Sequence, residues 1–386
     1  MTQWSALTRD TMTTSKSRLF SPLTLRDVTL RNRAVVSPMC QYSATDGTAN
    51  DWHLVHLGQF AAGGFGLVFT EATAVLAEGR ITHGDLGLWS DAHVAPLRRI
   101  VDFLHAHGAG SGVQLAHAGR KASMQRPWFG NAALGPDDVA RGDHPWPIVG
   151  PVAQPHHEGW LVPEALTHEG IRRIVDAFAA AARRAHEAGV DAVEVHGAHG
   201  YLLHSFLSPV ANTRRDAYGG DLAGRMRVAL EVARAVRAAW PAGKPLFFRT
   251  STFDAVDGGW TLDDTIALAR ELKAIGVDVI DCSAGGFLSS RLPFAPGYLV
   301  SNAARVREVA GIATQAVGFI TDAAQAEGIL QSGAADLVAI GREALSDPHW
   351  AGRAAVALEG DAGWALWPAQ YAWWLERRAA LIRTFR

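Results

Sequence analysis

The chain is poor in cysteine, has no long apolar run and carries no surplus of charge. Two cysteines in 386 residues cannot build a disulfide framework and suit a reducing compartment, so a cytoplasmic location is expected. Lys and Arg number 36 and Asp and Glu 38, for a formal net charge of -2, which argues against bulk electrostatic binding of nucleic acid. No stretch approaches the roughly 18 apolar residues that cross a bilayer. The best candidate, 61–76, is broken by Gly63, Gly64, Gly66 and Glu71. Residues 1–17 lack the apolar segment of a Sec-type signal and are rich in Ser and Thr; they are expected to form a flexible tail, with Met12 a second candidate start. No Gly-x-Gly-x-x-Gly turn follows the first strand, which weakens the case for a doubly wound dinucleotide fold.

What is present is a hydrophobic fraction of 48% beside a charged fraction of 19%, enough for a large core. From Arg33 onward one unit recurs: a short apolar run, a polar loop, then an alanine-rich amphipathic stretch. Strands are expected at 34–37, 67–72, 112–116, 192–196, 246–250, 277–282, 314–318 and 337–340. They are near-continuous Val, Ile, Leu and Phe runs, as parallel strands covered on the outside require. Helices are expected at 91–107, 168–188, 225–240, 262–275 and 322–332, several stopping at a glycine such as Gly108, Gly189, Gly276 or Gly333. Eight such units predict one α/β domain, 18–386, folded as a (β/α)8 TIM barrel. An N-terminal β-hairpin at 23–30 is placed to plug its base. A long excursion after the third strand, 122–167, holds seven prolines; with 284–299 it reads as a functional lid or wall.

In a barrel of this kind chemistry sits at the C-terminal ends of the strands. The first strand leads into Ser37-Pro38-Met39-Cys40-Gln41-Tyr42-Ser43, where Cys40 is either reactive or a small buried residue. Gln114, on the third strand, points inward if Leu115 faces the helices, and offers donor and acceptor together, as an imide edge requires. After the fourth strand, His196 and His199 stand three apart with Tyr201 two further on. They can converge on one ligand atom, or bind a metal if an acid such as Glu71, Glu194 or Asp281 joins them. Arg249 inside a barrel calls for an anion or a buried acid, Glu71 or Glu194. Gly318 and Gly341-Arg342, in the last two units, are placed to take a phosphate: glycine admits close backbone approach, helix starts favour the anion and Arg342 adds charge.

Taken in order, these motifs resemble the old yellow enzyme family of flavin-dependent ene-reductases, and within it the thermophilic-like class that includes xenobiotic reductases. The resemblance runs from about Leu19 to the C-terminal segment. It rests on 37–43, on Gln114-Leu115-Ala116-His117-Ala118-Gly119-Arg120-Lys121, on His196-Gly197-Ala198-His199-Gly200-Tyr201-Leu202, on 212–220 and on Ile340-Gly341-Arg342. It implies noncovalent FMN lined by Ser37, Pro38, Met39 and Cys40, with Ala72 beneath, Gln114 on the pyrimidine edge and Arg249 near N1 and C2=O. Val317, Gly318, Gly341 and Arg342 would hold the FMN phosphate. Cys40 would tune the flavin rather than act as a covalent nucleophile.

The resemblance also implies a mechanism. NADPH or NADH reduces the flavin, and hydride passes from N5 to the β-carbon of an enone, enal or related electrophile. His196 and His199 hold the carbonyl oxygen, Tyr201 protonates the α-carbon, and Tyr42 helps hold the substrate. Nitro compounds and nitrate esters are further acceptors of the same chemistry. Many members of the class carry an arginine in the C-terminal stretch that reaches a neighbouring subunit's active site; Trp373 stands at about that place and resembles a pocket-walling tryptophan, its alternative being a core anchor for the terminal helix. A homo-oligomer, dimer or higher, is implied, and neither a nucleic acid, a membrane nor a metal. The competing readings are a metal-dependent barrel hydrolase using His196 and His199, and a flavin-binding protein without turnover.

Overall fold

The computed structural model describes residues 16–287 and 289–385. Most of the expected tail lies outside the described residues. Its last member, Ser17, is buried and donates from its hydroxyl to Glu359 at 2.8 Å, so ordered packing begins before residue 18.

Strands β1 (Leu23–Leu25) and β2 (Val28–Leu30) form an antiparallel hairpin. Then come β3 (Ala34–Val36), β4 (Leu67–Ala74) and β5 (Gly110–Ala116), a two-residue pair β6 (Val149–Gly150) and β7 (Glu164–Ala165), and β8 (Ala192–Gly197). The last four are β9 (Leu246–Ser251), β10 (Val279–Ser283), β11 (Ala313–Ala316) and β12 (Leu337–Ile340). All except β1, β2, β6 and β7 close into a parallel barrel, β3-β4-β5-β8-β9-β10-β11-β12, sealed by Val338 against Ala34. The expected eight-stranded barrel is the fold observed. Bounds move by one or two residues. β11 stops at Ala316 because Gly318 turns to φ +110°, outside any strand.

The hairpin does plug the base. Leu23, Leu25 and Val28 pack on an interior apolar layer that includes Val35, Leu67, Phe69, Phe247, Val279 and Leu337. Arg26 at its tip pairs with Asp278 at 2.8 Å, just before β10. Above this layer the interior turns polar: Gln114 lies in register with Glu194 on the next strand, and Asp281 lies in register with Arg249 on one side and Gln315 on the other, all five buried. The barrel is thus closed below by hydrocarbon and open above to a belt of hydrogen-bonding groups.

Helices cover the outside. The helix Leu222–Ala239 begins three residues before the expected 225, because the Asp221 side chain caps it by accepting from Gly224 N–H at 2.8 Å. Asp51–Ala62 was not among the expected helices; its buried face carries His53 and His56, which mask the apolar period. The terminal helix Ala369–Arg383 buries none of its residues. The excursion folds back as a wall. Its Met124 and Ile148 form an apolar cluster with Ala72, Ile81, Ala116 and Ala118, against which Cys40, Tyr42, Tyr201, Trp146 and Trp160 pack. No helix of the described residues is long and apolar enough to cross a membrane.

Candidate active site

A cavity of about 540 Å³ opens over the C-terminal ends of β3, β9, β10, β11 and β12. Eight of the residues expected to hold a cofactor line it: Ser37, Pro38, Met39, Arg249, Val317, Gly318, Gly341 and Arg342. Gly318 is confined to glycine twice over. Its φ is +110°, and a Cβ there would stand 2.9 Å from the Tyr298 ring. At Gly341 the nearest atoms a Cβ would meet, Met39 Sδ and Ser37 Cβ, are 3.9 Å away, so a side chain there would make only ordinary van der Waals contact while filling part of the cavity it lines. Arg342 is exposed and holds its guanidinium 4.8 Å from the Phe319 ring. Glycine backbone on two neighbouring strand ends and one mobile-length cation make a seat for a phosphate.

At the other end of the cavity Arg249 donates to Ser37 Oγ at 3.2 Å and lies 3.4 Å from Asp281 Oδ2. Its acid is Asp281, not the Glu71 or Glu194 considered from the sequence. Glu71 is committed elsewhere, 3.3 Å from His53 Nε2 and accepting from Gln41 N–H at 3.0 Å. Burial raises the pKa of Glu194 well above the ordinary carboxylate range, the neighbouring Asp281 raising it further. Glu194 is therefore the protonated partner of the two. The remaining negative charge of Asp281 faces Arg249, whose Nε has no hydrogen-bond partner. Gln114 is 2% exposed and donates to Glu194 Oε1 at 2.8 Å, which commits one end of its amide to the belt.

These residues fit FMN. A buried arginine with a hydroxyl neighbour lines one end of the cavity, where an electron-rich heterocycle needs a cation, and glycine backbone at the opposite end leaves room for a phosphate. Cys40 and Ala72 lie beside this cavity in the apolar cluster of the excursion. Burial, and after it the nearby Glu71 charge, push the Cys40 pKa up, so it is a neutral thiol and not a thiolate nucleophile.

The β8 loop gathers buried titratable side chains beside the cavity. His196 and His199 stand with ring centres 5.1 Å apart, and Tyr201 is 5.1 Å from His196. Burial first, and the Arg249 charge second, hold both imidazoles well below their usual pKa, so both are neutral. His196 Nδ1 accepts from Ala198 N–H at 3.3 Å, which assigns the proton to Nε2 and makes that nitrogen a donor. His199 Nε2 meets Ser283 Oγ at 2.6 Å, and its backbone sits at φ +61°. That left-handed conformation is rare away from glycine and is held by two contacts: His199 N–H donates to Ser251 Oγ at 3.1 Å and Lys121 Nζ donates to His199 O at 2.9 Å. Lys121 Nζ also lies 4.8 Å from the centre of the Tyr201 ring. Burial raises the Tyr201 pKa well above its usual value, so the phenol keeps its proton. Tyr42, at φ +50°, completes the group from β3.

Ser283, Ser251 and Tyr298 were not singled out from the sequence. Ser283 links the two halves, since it lines the cavity and bonds His199. Its signal was weak: a serine following the sixth strand. Trp373 is not brought to this site. It is 49% exposed on the terminal helix and touches Trp374 and Arg377.

Residues 18–361 match the NADH:flavin oxidoreductase / NADH oxidase family. An NADPH dehydrogenase of Listeria innocua is 47% identical over 344 residues, 89% of this chain and 95% of that one. Among solved structures, morphinone reductase superposes with a TM-score of 0.74 at 27% identity, over 89% of this chain and 90% of that chain. A 2-naphthoyl-CoA reductase in complex with 2-naphthoyl-CoA gives 0.77 at 25% identity over 86% of this chain; the match spans only 51% of that longer chain.

Proposed function

The chain belongs to the NADH:flavin oxidoreductase / NADH oxidase family, that of the old yellow enzymes, and is an NAD(P)H-dependent flavin oxidoreductase with FMN as its cofactor; on that premise we propose that it is an ene-reductase for α,β-unsaturated carbonyl compounds. The observation that carries this reading is the triad at the mouth. Two neutral histidines, buried and 5.1 Å apart, face the same space as a phenol that keeps its proton.

The chemistry supplied by bound FMN is the relay of a hydride from the nicotinamide to the β-carbon of the alkene. The residues of this chain do the rest. His196 Nε2–H and His199 Nδ1–H donate to the carbonyl oxygen of the acceptor and stabilise the enolate-like charge that gathers there. Ser283, bonded to His199 Nε2, fixes which nitrogen of that ring is free to donate. Tyr201 Oη gives its proton to the α-carbon. Lys121, close to the Tyr201 ring and bonded to the His199 carbonyl, holds the two in mutual position. Cys40, Tyr42 and the excursion's Met124 and Ile148 exclude water on that side. Nitro compounds and nitrate esters are further acceptors in this proposal. NADPH is the donor, as in the name of the Listeria relative. The exposed Tyr371, Trp373, Trp374, Leu381 and Phe385 of the C-terminal segment support a homo-oligomer.

The test is the visible spectrum of purified protein under anaerobic addition of NADPH and then 2-cyclohexenone. Flavin absorbance should bleach with the first and return with the second. Bleaching without return would keep the flavin oxidoreductase and remove the enone as acceptor.

A further inference from the structure

Among the described residues three arginines are buried: Arg33, Arg120 and Arg249. Arg33 donates to Ser21, Pro22 and Asp336, and Arg249 pairs with Asp281 and Ser37. Arg120 is 4% exposed and has neither a hydrogen bond nor an ion pair among the described residues. Its one favourable contact is the face of Phe287, 5.4 Å from the guanidinium carbon. A buried guanidinium without an anion is costly, and a cation–π contact offsets only part of that cost.

Arg120 lines a pocket of about 460 Å³ on the excursion side of the barrel mouth, with Gln154, His156, His157, Phe287 and Ser289 among its walls. A second group there is also unsatisfied: His156 Nδ1 is buried without a partner. The surrounding charges are of one sign. Lys121, next in sequence, and Arg120 both depress the His156 pKa, and no carboxylate contributes to the shifts of Arg120, Lys121 or His156. The pocket also adjoins the catalytic turn. A Cβ on Gly200 would stand 2.2 Å from Gly286 O, one residue before Phe287, and Lys121 Nζ reaches the His199 carbonyl. It is separate from the FMN phosphate seat, with which it shares no lining residue.

We propose that this pocket is a second phosphate-binding subsite, in which Arg120 and His156 hold a phosphate carried by the ligand that enters the catalytic mouth. A planar guanidinium with unused donors matches phosphate oxygens in pairs, and an imidazole nitrogen beside it adds a further contact. The pocket has several donors and room for more than a carboxylate. The phosphate belongs either to the nicotinamide dinucleotide, as its 2′-phosphate or its pyrophosphate, or to a phosphorylated acceptor. The inference rests on the flavin oxidoreductase activity and not on the enone assignment.

The experiment uses FMN-loaded enzyme. Calorimetric titration with adenosine 2′,5′-bisphosphate, inorganic pyrophosphate and inorganic phosphate, at matched ionic strength, reads anion binding directly. At least one should bind wild type and bind Arg120→Gln tenfold or more weakly; His156→Ala should weaken it several-fold. Stopped-flow flavin reduction then gives the apparent Kd of each donor. A tenfold rise for NADPH with little change for NADH assigns the 2′-phosphate. An equal rise for both assigns the pyrophosphate. No rise for either, with anion binding lost in Arg120→Gln, assigns the phosphate to an acceptor. Far-UV circular dichroism and FMN content check that each variant is folded. If no anion binds wild type, the proposal is overturned whatever the variants do, while bleaching of wild type by NADPH leaves the oxidoreductase standing.

Discussion

The two walls of the barrel mouth solve different problems with different materials. The wall over β11 and β12 uses backbone: Gly318 and Gly341, with one exposed arginine, form a cradle suited to an anion. The wall over β3 and β8 uses buried side chains: His196, His199, Tyr201, Tyr42 and Cys40, every one held neutral by desolvation. Two of them, Tyr42 and His199, sit at positive φ without being glycine. Binding a fixed anion needs close backbone approach and little else. Moving protons needs groups whose charge state is set, and setting it takes burial and local strain. The mouth can therefore be broken on either wall separately.

The largest effect is expected on the catalytic wall. Tyr201→Phe removes the proposed proton donor, which does not line the cavity that would hold the flavin. Reoxidation of reduced enzyme by 2-cyclohexenone should slow roughly 100-fold or more, the range for loss of a general acid, while reduction by NADPH stays near wild type. Stopped-flow on each half-reaction checks this, and equal losses in both would remove Tyr201 from its role. The opposite wall is broken by Gly318→Ala. The new Cβ meets the Tyr298 ring and an unfavourable φ, so FMN affinity should fall about tenfold, on the order of 1–3 kcal/mol of strain. Fluorescence titration of stripped protein with FMN measures it. Once saturated with FMN, this variant should show the wild-type rate with the enone.

These walls were not equally legible in the sequence. The barrel strands could be read because covered parallel strands are continuous apolar runs, and the glycine seat could be read because glycine at two consecutive strand ends has few other uses. His196, His199 and Tyr201 also announced themselves, being close in sequence. Ser283 did not: its role exists only because the ends of β8 and β10 meet across the mouth. The partner of Arg249 was misassigned for the same reason. Asp281 lies opposite it in register on the neighbouring strand, while Glu71 is drawn away by His53. Local chemistry is written locally; pairing across strands is written in the register.

Buried histidines away from both walls should also mark themselves in acid. Buried imidazoles in this chain resist protonation, with His56 and His117 pushed down to about 4 from 6.5. The unfolded chain takes up those protons as pH falls through about 6.5, and the folded chain does not until about 4, so stability is full above 6.5 and is lost downward across that window. The free energy of urea unfolding should fall by about 1 kcal/mol per pH unit for each such group between pH 6 and pH 4.5.

The smallest effect belongs to the terminal helix, the one element outside both walls. Trp373 is half exposed, has Trp374 and Arg377 against its ring and does not line the cavity over the strand ends, so Trp373→Ala leaves the barrel core intact. Thermal unfolding at low protein concentration should shift by no more than about 0.5 kcal/mol, as for other surface substitutions. What should change is assembly. A helix with Trp, Trp, Tyr and Leu turned outward has an apolar face that only another molecule can cover. Analytical ultracentrifugation should show the variant shifted toward monomer relative to wild type. If KM for the enone rises in the same variant only at concentrations where wild type is oligomeric, Trp373 reaches the mouth of a second copy. A KM unchanged at every concentration would place it in the interface alone.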